Sequence, residues 1–139
     1  EDMNEHGQRL RRKQLRDAVG AEVARLVAQV SEQKLDTDGE MRPWRDRKED
    51  YLESVRTGSA QAAAISLADK IHNLWSITQS LEAGEDILAI LSGDAEAQRW
   101  FHQAVLEASQ THDDPRLKPM RDRLQRELDR FEIVLDREG

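Results

Sequence analysis

At 139 residues, with 28 Asp plus Glu against 21 Lys plus Arg and a net charge of −7, the chain has the length of one acidic domain with a single core. That balance excludes a broad, sequence-blind grip on nucleic acid, which needs excess Lys and Arg on one face, yet it leaves room for a small basic pocket around one phosphorylated ligand. Cysteine is absent, which excludes disulfides, a thiolate nucleophile and zinc–thiolate sites.

Nothing approaches 18 uninterrupted apolar residues, and no basic-then-apolar secretion signal opens the chain, so a cytoplasmic protein without membrane partners is expected. The opening "EDMNEHG" has no initiator Met and no starting cap, which reads as a fragment of a longer polypeptide.

Gly and Pro are few, at seven and three, and no stretch alternates with a period of two, so the expected fold is all-α over residues 1–139. The first helix expected is Gly7–Val19, ended by Gly20 at a left-handed C′ position. A second follows, with Val23, Leu26, Val27 and Val30 on one face. Residues 32–43 form a polar loop. Pro43 then stands at the first turn of a helix from Trp44 to about Arg56, where its missing N–H costs nothing. Trp44, Tyr51, Leu52 and Val55 give that helix its apolar side.

Ser59 suits the N-cap of the next helix, Ala60 to Leu81, which Gly84 closes. A short helix is expected over Glu85–Leu91. Another, capped by Asp94, runs to about Ser109 and carries Trp100, Phe101, Ala104 and Val105. After "THDDPRLKP" a long helix spans about Met120 to Arg137, with Leu124, Leu128, Phe131 and Leu135 on its buried side.

Between Ala60 and Leu81 the only charged residues are Asp69 and Lys70, so this helix is apolar nearly all round, as buried helices are. At about 100° per residue, Asp69, His72, Asn73 and Ser76 share an arc of about 100°, while Lys70 points outward. A buried carboxylate must be paired, hydrogen-bonded or bound to a metal. On pattern alone this stripe is as well explained by a satisfied structural network, with Asp69 capping a helix or paired to Arg, as by a site.

"LADKIHNL", residues 67–74, resembles the Ala-Asp-x-x-His-Asn signature of the HD-type metal-dependent phosphohydrolases. More narrowly, it is similar to the RelA/SpoT-type branch that hydrolyses guanosine tetra- and pentaphosphate, and to its small single-domain relatives. The opening Glu1-Asp2 is similar to the end of that family's upstream His-Asp-x-x-Glu-Asp stretch. "VGAEVARLVAQVS" resembles the segment that follows it, "PWRDRKEDYLESV" the Trp-x-x-Arg-Lys-x-x-Tyr-Leu helix, and "AEAQRWFHQAVLEA" the Trp-Tyr-Tyr helix, with Phe101 and His102 in place of the tyrosines.

The resemblance covers roughly Glu1 to Leu135 and implies an HD-domain-like bundle that is N-terminally truncated. It further implies hydrolysis of a nucleotide pyrophosphate such as guanosine tetraphosphate, and a divalent ion, Mn²⁺ first. Asp69 matches the metal-ligating Asp. Glu1 and Asp2 match the pair that activates the attacking water, a metal lowering the water's pKa while a carboxylate takes the proton. Asn73 and Ser76 match groups near sugar and phosphate, both able to donate to a phosphate oxygen. Lys70 and His72 lie within the motif.

The family's upstream His and His-Asp ligands do not precede Glu1 in this sequence, and one carboxylate does not hold a divalent ion. The chain by itself is therefore expected to be inactive. Arg45, Arg47 and Lys48 could face a polyphosphate, but Arg45 and Glu49 are spaced i, i+4 as on a solvated helix surface. Trp44 reads as core rather than a stacking platform. His112-Asp113 is an HD dipeptide in the wrong order and in a loop, so it is read as a turn. His6 and His102 have no partner at ligand spacing.

Two other readings stay open: a non-catalytic helical module that keeps the fold and binds a partner or nucleotide, and an HD nucleotidase acting on other nucleotides. An exposed apolar flank on the central helix leaves a homodimer open without requiring one.

Overall fold

The computed structural model describes residues 20–29, 36–89 and 94–138. Five α-helices stand among them, α1 (Ala21–Gln29), α2 (Trp44–Thr57), α3 (Ala60–Glu82), α4 (Ala95–Ser109) and α5 (Lys118–Glu138), with 3₁₀ turns at Ile87–Ala89 and Pro115–Leu117. No strand occurs among the described residues, and none of their helices is long and apolar enough to cross a membrane. The expected helix over residues 7–19 lies outside them. Of the one expected at 85–91, only the 3₁₀ turn is described.

α3 is the axis of the bundle, because all four other helices pack on it. Ser59 caps it as expected, its side chain accepting from the Ala62 N–H at 3.1 Å. At the far end Gly84, at φ +80°, lets the Gly84 N–H reach the Leu81 carbonyl and the Glu85 N–H reach that of Ser80, both at 3.0 Å. Those two bonds close the last turn in a Schellman arrangement. Asp94 caps α4 through the Ala97 N–H at 2.8 Å.

Pro43 differs from expectation by one place. It precedes the first helical residue of α2, at φ −54° and ψ 141°, so it directs the chain in rather than sitting in the first turn. α5 begins earlier than expected, because Asp114 caps the turn before it and Pro119 is tolerated in its first turn, where no intrahelical donor is needed.

Leu52, Val55, Leu67, Leu74, Val105, Leu124 and Phe131 are fully buried where α2, α3, α4 and α5 meet. On α5 Val134 lies in the core, whereas Leu135 is partly buried and packs against its edge. On α1 only Leu26 is buried, Val23 being exposed and Val30 lying outside the described residues. Several polar groups inside find partners within the core. Tyr51 and Ser66 share a 2.5 Å hydrogen bond between α2 and α3, and Thr78 donates to the Leu74 carbonyl at 2.9 Å.

His112 has a structural role. Its Nε2–H donates at 2.7 Å to the Val55 carbonyl, one of the last-turn carbonyls of α2 that lacks an intrahelical donor. The His-Asp dipeptide is thus part of a turn, as expected.

Truncating Phe131 to Ala should cost about 3–5 kcal/mol, whereas Gly84→Ala should cost about 1 kcal/mol through its left-handed backbone. Urea unfolding of the two variants should show midpoints separated in that order.

Candidate functional site

α2, α3 and α4 leave a pocket of about 430 Å³ between them. Helical spacing explains who lines it. α3 contributes Lys70, Asn73, Ile77 and Ser80 at i, i+3, i+7 and i+10, with His72 and Ser76 on the flanks. α2 contributes Trp44 and Lys48 at i, i+4, and α4 contributes Gln98, Phe101 and His102 at i, i+3, i+4. Ile87 closes one end.

Aromatic rings form the frame. Phe101 meets Trp44 at 6.2 Å and Tyr51 at 5.5 Å, both edge-on, and Trp44 leans on Trp100 at 5.9 Å. Two ammonium groups lie over that frame: Lys48 Nζ is 4.9 Å from the Phe101 centroid, and Lys70 Nζ is 5.2 Å from Phe101 and 4.9 Å from Tyr51. Arg45 stacks on Trp100 at 3.5 Å and pairs with Glu49 at 3.0 Å, the surface role expected of it. Trp44 belongs to the core edge, as expected, and also walls the pocket.

The positions of Asp69 and Lys70 are the reverse of those read from the helical wheel. Asp69 is not buried, since 56% of its side chain is exposed, whereas Lys70 turns inward and keeps only 12% exposed. A helix apolar on nearly every side has no polar face to set its orientation, so the wheel could order the residues but not aim them. What aims them is the aromatic frame on α2 and α4: the aliphatic stem of Lys70 covers ring surface while its ammonium finds ring faces and a carboxylate.

Asp69 does have a partner, the Lys70 ammonium at 3.0 Å, and it accepts a long hydrogen bond from Asn73 Nδ2 at 3.5 Å. His72 stacks on the exposed Trp75 at 6.1 Å. Of the expected substrate-binding residues, Lys70, Asn73 and Ser76 come together on the pocket wall.

The expected metal centre is not assembled here. Among the described residues no group of three or more His, Asp or Glu side chains is placed to hold a metal ion, and Asp69 already faces an ammonium. The residues present therefore do not fit a divalent cation by themselves. Glu1 and Asp2 lie outside the described residues.

His102 is the site residue that the sequence left without a role. It is 2% exposed, and its Nδ1 lies 2.8 Å from the Gln98 carbonyl. A carbonyl only accepts, so Nδ1 carries the hydrogen and Nε2 is a bare acceptor. Burial pushes the imidazole from its ordinary 6.5 down to about 4; the Gln98 bond and Asp69 oppose this, and Lys70 and Lys48 add to it. The available signal was Gln98 and His102 on the same i, i+4 face as buried Phe101 and Val105, which marks polar groups committed to the interior.

No protein-family model matches the chain, and no curated protein matches it. Among solved structures the chain is similar to lmo0812 from Listeria monocytogenes EGD-e, known from a 1.85 Å crystal structure. The two share 29% identity and a TM-score of 0.67 over 85% of this chain and 74% of that one. Fold and site together define an all-helical bundle with a cationic, aromatic-walled pocket beside its central helix.

His102 also sets a pH dependence. The unfolded chain takes up a proton below pH 6.5 that the folded imidazole refuses until about pH 4, so stability is full above 6.5 and falls as pH drops through that window. Between pH 7 and 5 the wild type should lose about 2 kcal/mol that His102→Gln does not lose. Urea titrations at the two pH values check the difference.

Proposed function

We propose that the chain is part of an HD-type metal-dependent phosphohydrolase acting on a nucleotide pyrophosphate, with guanosine tetraphosphate as the first candidate. One observation carries the reading: the Ala-Asp-Lys-Ile-His-Asn segment lies on the central helix and gives Lys70, Asn73 and, a turn later, Ser76 to a pocket that also holds Lys48. Two ammoniums with an amide and hydroxyl donors suit the oxygens of a phosphate chain. Trp44 and Phe101 offer apolar wall for a base or sugar.

In this reading Lys48 and Lys70 hold the charge, Asn73 and Ser76 orient it, and Asp69 is released from Lys70 to serve a cation. The reading requires the His and the His-Asp pair that the family carries ahead of the Glu1-Asp2 position, since the described residues do not complete a metal site.

The Asp69–Lys70 ion pair favours a second reading, because it gives the carboxylate a partner without any metal. In that case the fold is a non-catalytic module that binds a nucleotide through the same two lysines.

The test is pyrophosphate release from guanosine tetraphosphate by the protein extended upstream of Glu1, with Mn²⁺ supplied. Asp69→Ala should lower the rate by more than about 100-fold. Undiminished release in that variant would falsify the assignment. Nucleotide binding with no release from any nucleotide would leave the binding module, and release of orthophosphate from monophosphates would move the protein to a nucleotidase.

A further inference from the structure

His102 presents an unusual combination. Its ring is inside the protein, Nδ1–H is committed to the Gln98 carbonyl, and Nε2 has no hydrogen-bond partner, yet the residue forms part of the pocket wall. A buried acceptor left unmatched costs about 1–3 kcal/mol, and native structures carry few of them without a use. An ion would be the ordinary answer for a histidine nitrogen beside carboxylates. Here the groups that face the imidazole are Lys70, Lys48 and Asp69, so the local field is mainly cationic and unsuited to a metal. Protonation is no remedy either, since the same two lysines and the burial keep the ring neutral well below pH 7.

We propose that the bare Nε2 of His102 is the acceptor with which this pocket receives an N–H or O–H group of its ligand, alongside the Lys48 and Lys70 ammoniums that take the ligand's anionic group. The inference rests on the nucleotide reading of the site and deepens it. A nucleotide combines both requirements in one molecule: phosphate oxygens at one end, and base-edge N–H or sugar O–H donors a few ångströms away. A bare inorganic anion meets only the first. Recognition by an unmatched acceptor is discriminating, because a ligand without the donor leaves the nitrogen as costly as before.

The experiment uses the whole chain labelled with ¹⁵N-histidine at pH 7, titrated separately with guanosine 5′-diphosphate and with sulfate, which carries charge and no proton. The diphosphate should move the Nε2 resonance of His102 upfield, the direction of an accepted hydrogen bond, while sulfate binds without moving it. His102→Leu should weaken the diphosphate about tenfold, the size of one lost neutral hydrogen bond, and leave sulfate affinity unchanged. His102→Gln, whose amide oxygen can accept, should recover part of the loss.

Binding of the diphosphate with Nε2 unmoved and His102→Leu equal to wild type would overturn the role of His102 and leave the nucleotide reading standing. So would an Nε2 resonance already shifted before any ligand is added, the mark of a resident water. Failure of the wild type to bind either probe would remove both. Should the Leu variant not fold, the wild-type resonance alone decides.

Discussion

Packing one helix against each of the other described helices is the constraint from which the rest of this structure follows. α3 meets each of the other helices, so its small residues Ala62 and Ala63 and its large ones Leu67 and Leu74 must each fit a different neighbour. Ala68, His72, Trp75 and Gln79 form an exposed stripe, but the packed face of α3 has little tolerance for polar side chains. Those it carries are dealt with singly: Ser66 by Tyr51, Thr78 by its own backbone, Lys70 by rings and a carboxylate. Where α3 faces α2 and α4 the pocket opens. The site is thus a gap between three helices rather than a loop feature added to a finished fold.

The chemistry of that gap runs against the chain as a whole. A protein with a net charge of −7 collects Arg45, Lys48 and Lys70 on a single group of aromatic rings. Ring faces stabilise cations without neutralising them, and both lysines of the pocket lie over such faces. Lys70 is the intermediate case, shared between Tyr51, Phe101 and Asp69. The cationic character of the pocket is therefore local, within a chain that is acidic overall.

Much of the fold was legible because helix ends are written in short local codes. Ser59, Asp94 and Gly84 act through atoms within a few residues of themselves, and all three perform the roles their types suggest. The placement of Asp69 and Lys70 was not legible, since it is decided by Tyr51 and Phe101, which are far away in the chain and were visible only as core formers. Leu135 and Val134 differ for a related reason: neighbouring positions on a helix lie about 100° apart, and a shift of that size depends on the partner helix. His102 escaped notice because ligand spacing looks for a second metal-binding side chain. An acceptor that is fixed by one backbone carbonyl and by burial needs none.

The bond from His112 to the Val55 carbonyl joins the connection ahead of α5 to the far end of the helix that carries Trp44 and Lys48. α2 is consequently held at both ends by different means, a hydrogen bond from another segment at Val55 and ring packing at Trp44. Removing the imidazole would strand the Val55 carbonyl and uncouple the turn ahead of α5 from the helix that walls the pocket.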